Sequence, residues 1–327
     1  MRERNFAYAV GRIRALETKL IDRARIDRLS EASGLNEVIS GLAESEYGPA
    51  IANLKNPIQF EAALNAELAR VIKLVSDLAD DAPELMVFVY RYDLQNLKLI
   101  LKTENGKPNG LSSLGHWDPE WLVQKLNEND LMELPESFRK AIYLSKEAFK
   151  ATGDTQEIDR IMDGAWFNLG YHTLKEGISS LLFNWWVALI DLTNLRTFIR
   201  LRIIGTGFGE FQRFFIDNGT IKIEDYKELW DYPNEKIAVW LGNTNYSKLL
   251  ADGAATLSSL TQLEREYDNF LLEQIAPAKM IALGIEPLVG YLLAKENEVK
   301  LLRIVLVGKA NQLSNPEIKE RLRRAYA

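Results

Sequence analysis

The sequence has no cysteine and only two histidines among its 327 residues. Without a thiol there can be no disulfide, no thiolate zinc or iron–sulfur site and no cysteine nucleophile. Two histidines, His116 and His172, are too few for a histidine-rich metal centre. Excess basic charge is missing as well: 40 Lys and Arg against 46 Asp and Glu leave a formal charge of −6. That is the wrong sign for a chain that must displace counterions from nucleic acid. Long apolar runs are also lacking. LLFNWWVALI (181–190) is about half the length that a bilayer core demands. The longer stretch from Ile275 to Ala294 is interrupted by Pro277, Lys279, Glu286 and Pro287. The amino-terminal MRERNFAYAVGRIRALETKL spreads charge through its apolar positions, so an amphipathic helix is expected there rather than a signal peptide. The expectation is a soluble protein with no membrane span and no nucleic-acid partner.

What is present is globular. Hydrophobic residues at 47% and charged residues at 26% match a chain that buries a core, and the length suits two or three domains. Helical periodicity dominates. Phe6, Val10, Ile13 and Leu20 form one stripe, and Phe60, Leu64, Leu68, Val71, Val75 and Leu78 form another after an Asn56-Pro57 cap signal. Alternating runs with hairpin turns are nearly absent, although VLVGK at Val305 imitates one. The predicted fold class is all-α.

One helical segment occurs twice. YDLQNLKLILK (92–102) returns as IDLTNLRTFIR (190–200), so Asp93, Asn96 and Lys98 correspond to Asp191, Asn194 and Arg196. The first copy reads as a helix that starts at Pro83, after Asp81, and stops at Gly106-Lys107-Pro108. At 100° per residue, Tyr90, Leu94, Leu97, Ile100 and Leu101 share an apolar arc opposite Arg91, Gln95, Lys98 and Lys102. Ala188, Leu192, Leu195, Phe198 and Ile199 reproduce the arc, and Arg196 and Arg200 reproduce the basic edge. Both aspartates fall inside the apolar arc. The likeness continues, with GHWDPEWLVQKL from Gly115 matching GTIKIEDYKELW from Gly219, followed by Pro135 and Pro233. IDRIMDGAWF and LEREYDNF, with Asp163 and Asp268, precede the second copy and a third. The third, LLAKENEVKLLRIVLVGK from Leu292, aligns Glu298 with Asn194 and puts Lys295 in place of the aspartate. A period near 100 residues exceeds the roughly 20–50 of solenoid repeats. It predicts three similar helical domains, 1–117, 118–218 and 219–327, in an open superhelix or a ring.

Catalytic constellations are hard to find. VGKA (307–310) lacks the upstream glycine and the Ser or Thr of a phosphate-cradling loop. GTGFG (205–209) follows a helix where a dinucleotide fingerprint needs a strand, so it reads as a helix terminator. His116 and His172 read as turn and core-edge residues. DDAPE (80–84) resembles the magnesium-holding aspartates of helical prenyl-transferring enzymes, but Pro83 makes Asp80 and Asp81 better N-cap acids, and no second acidic motif follows. No catalytic residue, cofactor or metal is expected. An acid on an apolar arc must find a partner or a hydrogen-bond donor, or be protonated, because unpaired burial is costly. For Asp93 and Asp191 that partner is an opposite charge on a neighbouring helix or a group on another protein. The candidate partner-interface or packing residues are Asp93, Asn96, Lys98, Asp191, Asn194, Arg196 and Arg200. The basic edge is a solvated face or the surface that meets an acidic partner.

The two repeated helices and the ending KENEVKLLRIVLVGKANQLSNPEIKERLRRAYA, with Gly308-Lys309 and Pro316, resemble the C subunit of V-type and A-type ATP synthases, a family related to the d subunit of the eukaryotic vacuolar ATPase. The resemblance runs from RNFAYAVGRIRALETKL to IKERLRRAYA. It implies a funnel or ring-like socket of three helical domains with no catalytic site and no bound nucleotide. Such a protein is a rotor piece of the central stalk. It stands on the cytoplasmic face of the membrane proteolipid ring, receives the D and F subunits of the shaft, and neighbours the membrane part of the stator. Torque then passes between ring and headpiece, coupling proton or sodium transport to ATP synthesis or hydrolysis. The alternative expectations are a generic all-α interaction scaffold and, further behind, a magnesium-dependent prenyl-type enzyme. Lys295 sets the third copy apart from strict three-fold equivalence.

Overall fold

A computed structural model describes residues 6–103, 108–250 and 252–327. Every regular element among the described residues is helical, as the periodicity predicts. In chain order come α1 (Ala7–Glu17), α2 (Arg23–Glu31), α3 (Leu35–Leu42), α4 (Gly48–Ile51) and α5 (Phe60–Ala79). There follow α6 (Pro83–Lys102), α7 (Pro119–Glu128), α8 (Glu136–Thr152), α9 (Thr155–Glu176), α10 (Ser180–Ile204), α11 (Phe208–Phe214) and α12 (Ile223–Leu229). The chain closes with α13 (Asn234–Gly242), α14 (Leu260–Ile275), α15 (Glu286–Ala310) and α16 (Asn315–Arg321). Two compact units result. One joins the chain up to Asp80 with Tyr232–Ala327, and the other is Asp81–Asp231. The boundaries expected near 117 and 218 both fall within the second unit.

Local signals set most helix ends. Asn56 accepts the Ile58 N–H and starts the short turn that leads into α5, whose stripe from Phe60 to Val75 is buried. Pro83 opens α6, where its missing N–H costs nothing. The expectation that Asp80 and Asp81 cap this helix is corrected: Ala82 is the N-cap. Asp80 is instead the left-handed terminator of α5, with φ 51°, and Asp81 follows at φ 47°. Aspartate tolerates that region better than most residues do, which explains its place in the short link from α5 to α6. The terminator reading of GTGFG holds, since Gly205 ends α10 at φ 81°. VLVGK is helical within α15. Gly106 and Lys107, expected to end α6, lie outside the described residues, and the helix stops at Lys102.

In the second unit, α6 packs against α9, and α9 also against α8 and α10. Leu94, Leu97 and Ile100 of α6 meet Phe138 and Ile142 of α8 and Ile158 and Met162 of α9 in one cluster. On the opposite edge of α6 Gln95 is exposed, but the lysines are paired rather than solvated. Lys98 is 8% exposed and donates to Asp163 of α9 at 2.7 Å, while Lys102 donates to Asp159 at 2.7 Å. Burial pushes the Asp163 carboxyl up, and the Lys98 charge opposes that shift.

Above this cluster Trp186 stands edge-on to Phe88 and Trp166, and its indole N–H donates to the Phe167 carbonyl. A Cβ at Gly170 of α9 would lie 2.0 Å from the Trp186 ring. Gly170→Ala is therefore expected to destabilise by about 1–3 kcal/mol through overpacking, against the sub-kcal/mol helix gain of alanine. A urea midpoint at or above that of the parent protein would contradict the packing.

In the first unit α15 is buried around nearly its whole circumference, which is why it shows no single apolar stripe. It packs against α5, α1, α2 and α3 from the start of the chain and against α14 and α16 from its end. Leu20, expected on the α1 stripe, lies beyond the helix end and is still buried.

Candidate functional site

The repeated helix is a clamp on the loop that follows it. In α6, Asp93 is fully buried and accepts the His116 N–H through Oδ2 at 2.8 Å and the Trp117 N–H through Oδ1 at 3.1 Å. One turn further on, Asn96 accepts the Ser112 N–H and donates to the Ser112 carbonyl, both at 2.8 Å. In α10, Asp191 accepts the Thr220 N–H through Oδ2 at 2.9 Å and the Ile221 N–H through Oδ1 at 3.1 Å, and the Thr220 hydroxyl donates to it as well. Asn194 accepts the Ile216 N–H at 2.9 Å and donates to its carbonyl at 2.7 Å. The expected ion pair for these aspartates is thus corrected to backbone N–H groups. An i, i+3 pair suits that purpose, because it places a carboxylate and an amide one above the other on one helix face.

The loops repeat as closely as the helices. From Ser112 to the α7 N-cap, Asp118, the spacing equals that from Ile216 to the α12 N-cap, Lys222. A glycine stands three residues after each anchor. A Cβ at Gly115 would sit 2.1 Å from Asp93 Oδ1, and one at Gly219 would sit 2.1 Å from Asp191 Oδ1. Glycine is needed there because the carboxylate occupies the side-chain space. The clamp aims the loop so that it enters α7 or α12 at a set angle.

The third copy reaches a related result with other chemistry. Glu298, aligned with Asn194, accepts the Ile21 N–H, and Ile21 directly precedes Asp22, the N-cap of α2. Trp117 and Ile221 hold the same position before α7 and α12. Here the loop is supplied from 277 positions earlier in the chain. Lys295, 1% exposed, donates to Glu298 at 2.6 Å and lies 3.3 Å from Glu67 of α5. The Tyr47 hydroxyl donates to Glu298 at 2.8 Å, and Arg70 donates to Glu67 at 2.7 Å. Burial beside Glu298 and Glu67 pushes the Tyr47 hydroxyl well above its usual range.

The remaining candidates separate by exposure. Lys98 is held in its ion pair, Arg196 is half-buried and Arg200 is exposed. His116 serves through its backbone N–H while its exposed ring stands edge-on to Tyr90 and Trp117, and His172 is exposed on α9 rather than at a core edge. Sequence reasoning missed Ser112, Gly115, Ile216 and Gly219 as members of the site. The matching offset of the two glycines was the available signal. Among the described residues no group of three or more His, Asp and Glu is placed to hold a metal ion. Among them, too, no helix is long and apolar enough to cross a membrane.

A profile of the vATP-synt_AC39 family, the ATP synthase (C/AC39) subunit, matches residues 9–321. The chain belongs to this family. Individual relatives agree along most of their lengths. The C subunit of the A-type ATP synthase of Methanocaldococcus jannaschii is 26% identical, with 97% of this chain and 86% of the relative covered. Its counterpart in the V-type sodium ATPase of Enterococcus hirae is 28% identical over 96% of this chain and 97% of the relative. The equivalent A-type protein of Methanosarcina mazei is 28% identical, covering 97% and 92%. Membership places the chain among the C subunits of A- and V-type ATPases, as the repeated helices and the PEIKERL ending suggest.

Proposed function

We propose that this C/AC39 protein is a non-catalytic central-stalk piece of a rotary ATPase. It is a socket that joins the D–F shaft to the membrane proteolipid ring on the cytoplasmic face. The observation that carries this reading is the family match over residues 9–321. The clamps supply a physical rationale. A part that transmits torque must not shear between helix and loop, and each clamp ties the two with three or more hydrogen bonds where the repeat is complete. Three modules, 1–117, 118–218 and 219–327, fit the recurrence of the clamp before α7, α12 and α2. The third is then completed by the amino-terminal segment. Of the polar residues on the repeated helices, Arg196 and Arg200 lie on the edge that meets a partner, with Arg200 the more exposed.

Native mass spectrometry of the purified chain with separately purified D–F shaft tests the proposal. One copy each of the chain, D and F is the expected assembly. A chain that is helical by circular dichroism yet binds no shaft would overturn the socket role and favour a helical scaffold with another partner.

A further inference from the structure

We propose that the α6 clamp is a pH-sensitive catch on the loop that enters α7, and that the residue at position 116 sets its sensitivity. A side-chain donor distinguishes the two clamps. His116 and Thr220 each follow the clamp glycine, and each donates its backbone N–H to the aspartate. Thr220 adds its hydroxyl, 2.5 Å from Asp191 Oδ2. The His116 ring instead turns outward against Tyr90 and Trp117, and among the described residues no side chain donates to Asp93. Asp93 is nevertheless fully buried, and Trp117 stacks on Tyr90, one turn before it, at 5.0 Å with the rings nearly parallel. A carboxylate with no cation and no side-chain donor is costly to keep ionised in such a place.

Charges on the elements packed against α6 are committed elsewhere. Asp163 and Asp159 of α9 pair with Lys98 and Lys102 on the other edge of α6. Asp118 caps the Glu120 and Trp121 N–H groups of α7, and on α8 Lys140 pairs with Glu136 while Phe138 meets Tyr90. Burial, with the Asp93 and Asp81 charges, pushes the Tyr90 hydroxyl up to about 12, so it stays neutral. The exposed His116 ring is the other titratable group at the clamp. Burial pushes the Asp93 carboxyl up, against the pull of the His116 and Trp117 N–H groups. The closed clamp therefore binds a proton more readily than the open loop, in which the side chain meets water. Closure is favoured in mild acid, and the loop is released more often as pH rises to about 7. A hydroxyl at position 116, placed as in Thr220, favours the ionised carboxylate, which holds the clamp shut at neutral pH and flattens its response. Release frees Trp117 and the entry to α7, so the catch ties proton concentration to the order of that loop.

Amide hydrogen exchange of the full-length chain from about pH 5 to about pH 8, read on peptides spanning residues 112–118 and corrected for base catalysis, tests this. No shaft takes part, so the outcome is independent of the socket reading. Opening of the loop in the parent is expected to become at least tenfold more frequent between about pH 5 and about pH 7, and to level off above that. Asp93→Asn should be flat. His116→Thr should open less often than the parent at neutral pH and change only a few-fold over the range. His116→Phe, which keeps an aromatic edge but neither titrates nor donates, should keep the parent's response. The side chain at 116 is exposed, so both variants there should melt with the parent. A flat parent would overturn the catch. So would a His116→Phe profile as flat as that of Asp93→Asn, which would assign the response to the imidazole. Matching profiles for His116→Thr and His116→Phe would overturn the role of position 116. Should Asp93→Asn fail to fold, the pair at 116 decides alone: a pH response kept in His116→Phe and flattened in His116→Thr upholds the catch, and any other pattern overturns it.

Discussion

Lys295→Met is expected to cost about 3–5 kcal/mol, because it removes one partner from a buried charge network and leaves the other charges without it. Glu67 and Glu298 would then face each other with only Arg70 to offset them, and both are 3% exposed. A domain's whole stability is only about 5–15 kcal/mol, so the loss should shift the urea midpoint markedly. The companion variant Lys295→Met with Glu298→Gln removes the excess negative charge and keeps an acceptor for Ile21 and Tyr47. It should recover a large part of the loss, and a double-mutant cycle would report the coupling. A single variant within about 1 kcal/mol of the parent would show that the cluster is solvated in solution and that the third clamp is not closed.

Asp191→Ala should be nearly as damaging. It strands the Ile221 N–H, and a buried donor left without an acceptor costs about 1–3 kcal/mol, to which the loss of the two Thr220 hydrogen bonds adds. The matching site in α6 adds a pH signature. Burial pushes the Asp93 carboxyl up to about 7, against the pull of the His116 and Trp117 N–H groups. A raised folded-state value means that the native protein binds more protons than the unfolded chain between about pH 4 and about 7. The Asp93 contribution is therefore fully present below that window and is lost as pH rises through it, by at most about 1.4 kcal/mol per unit. Asp93→Asn has no such titration. Its stability deficit relative to the parent should shrink as pH rises from about 4 to about 7, measured by urea midpoints across that range. A deficit that grows with pH would mean that the N–H groups outweigh burial and hold the carboxylate ionised.

The two clamps show how far local reading reaches. Asp93 and Asp191 are legible as anomalies because helical periodicity alone puts them inside apolar arcs. Their partners are not legible. The chain between Asn96 and Ser112 has no regular period over most of its length, and whether its N–H groups or a distant cation reach a carboxylate depends on where the loop is packed. Lys98 looks solvated for the same reason, since Asp163 comes from a helix 65 residues later. Asp80 and Asp81 mislead on a subtler point. An acid before Pro83 suits an N-cap, but the two left-handed aspartates that end α5 leave Ala82 there instead.

Local pattern was enough for the all-helical class, the starts and stops at Pro83 and Gly205, the repeated Asp-x-x-Asn helix and the family, because each depends on residues within a few turns or on the order of motifs. It took the packed chain to reveal that the repeat grips backbone rather than charge, and that Lys295 and Glu298 close a third clamp on Ile21 from the far end of the chain. A buried polar group takes whatever complementary group packing brings to it, and packing joins positions that no local pattern relates.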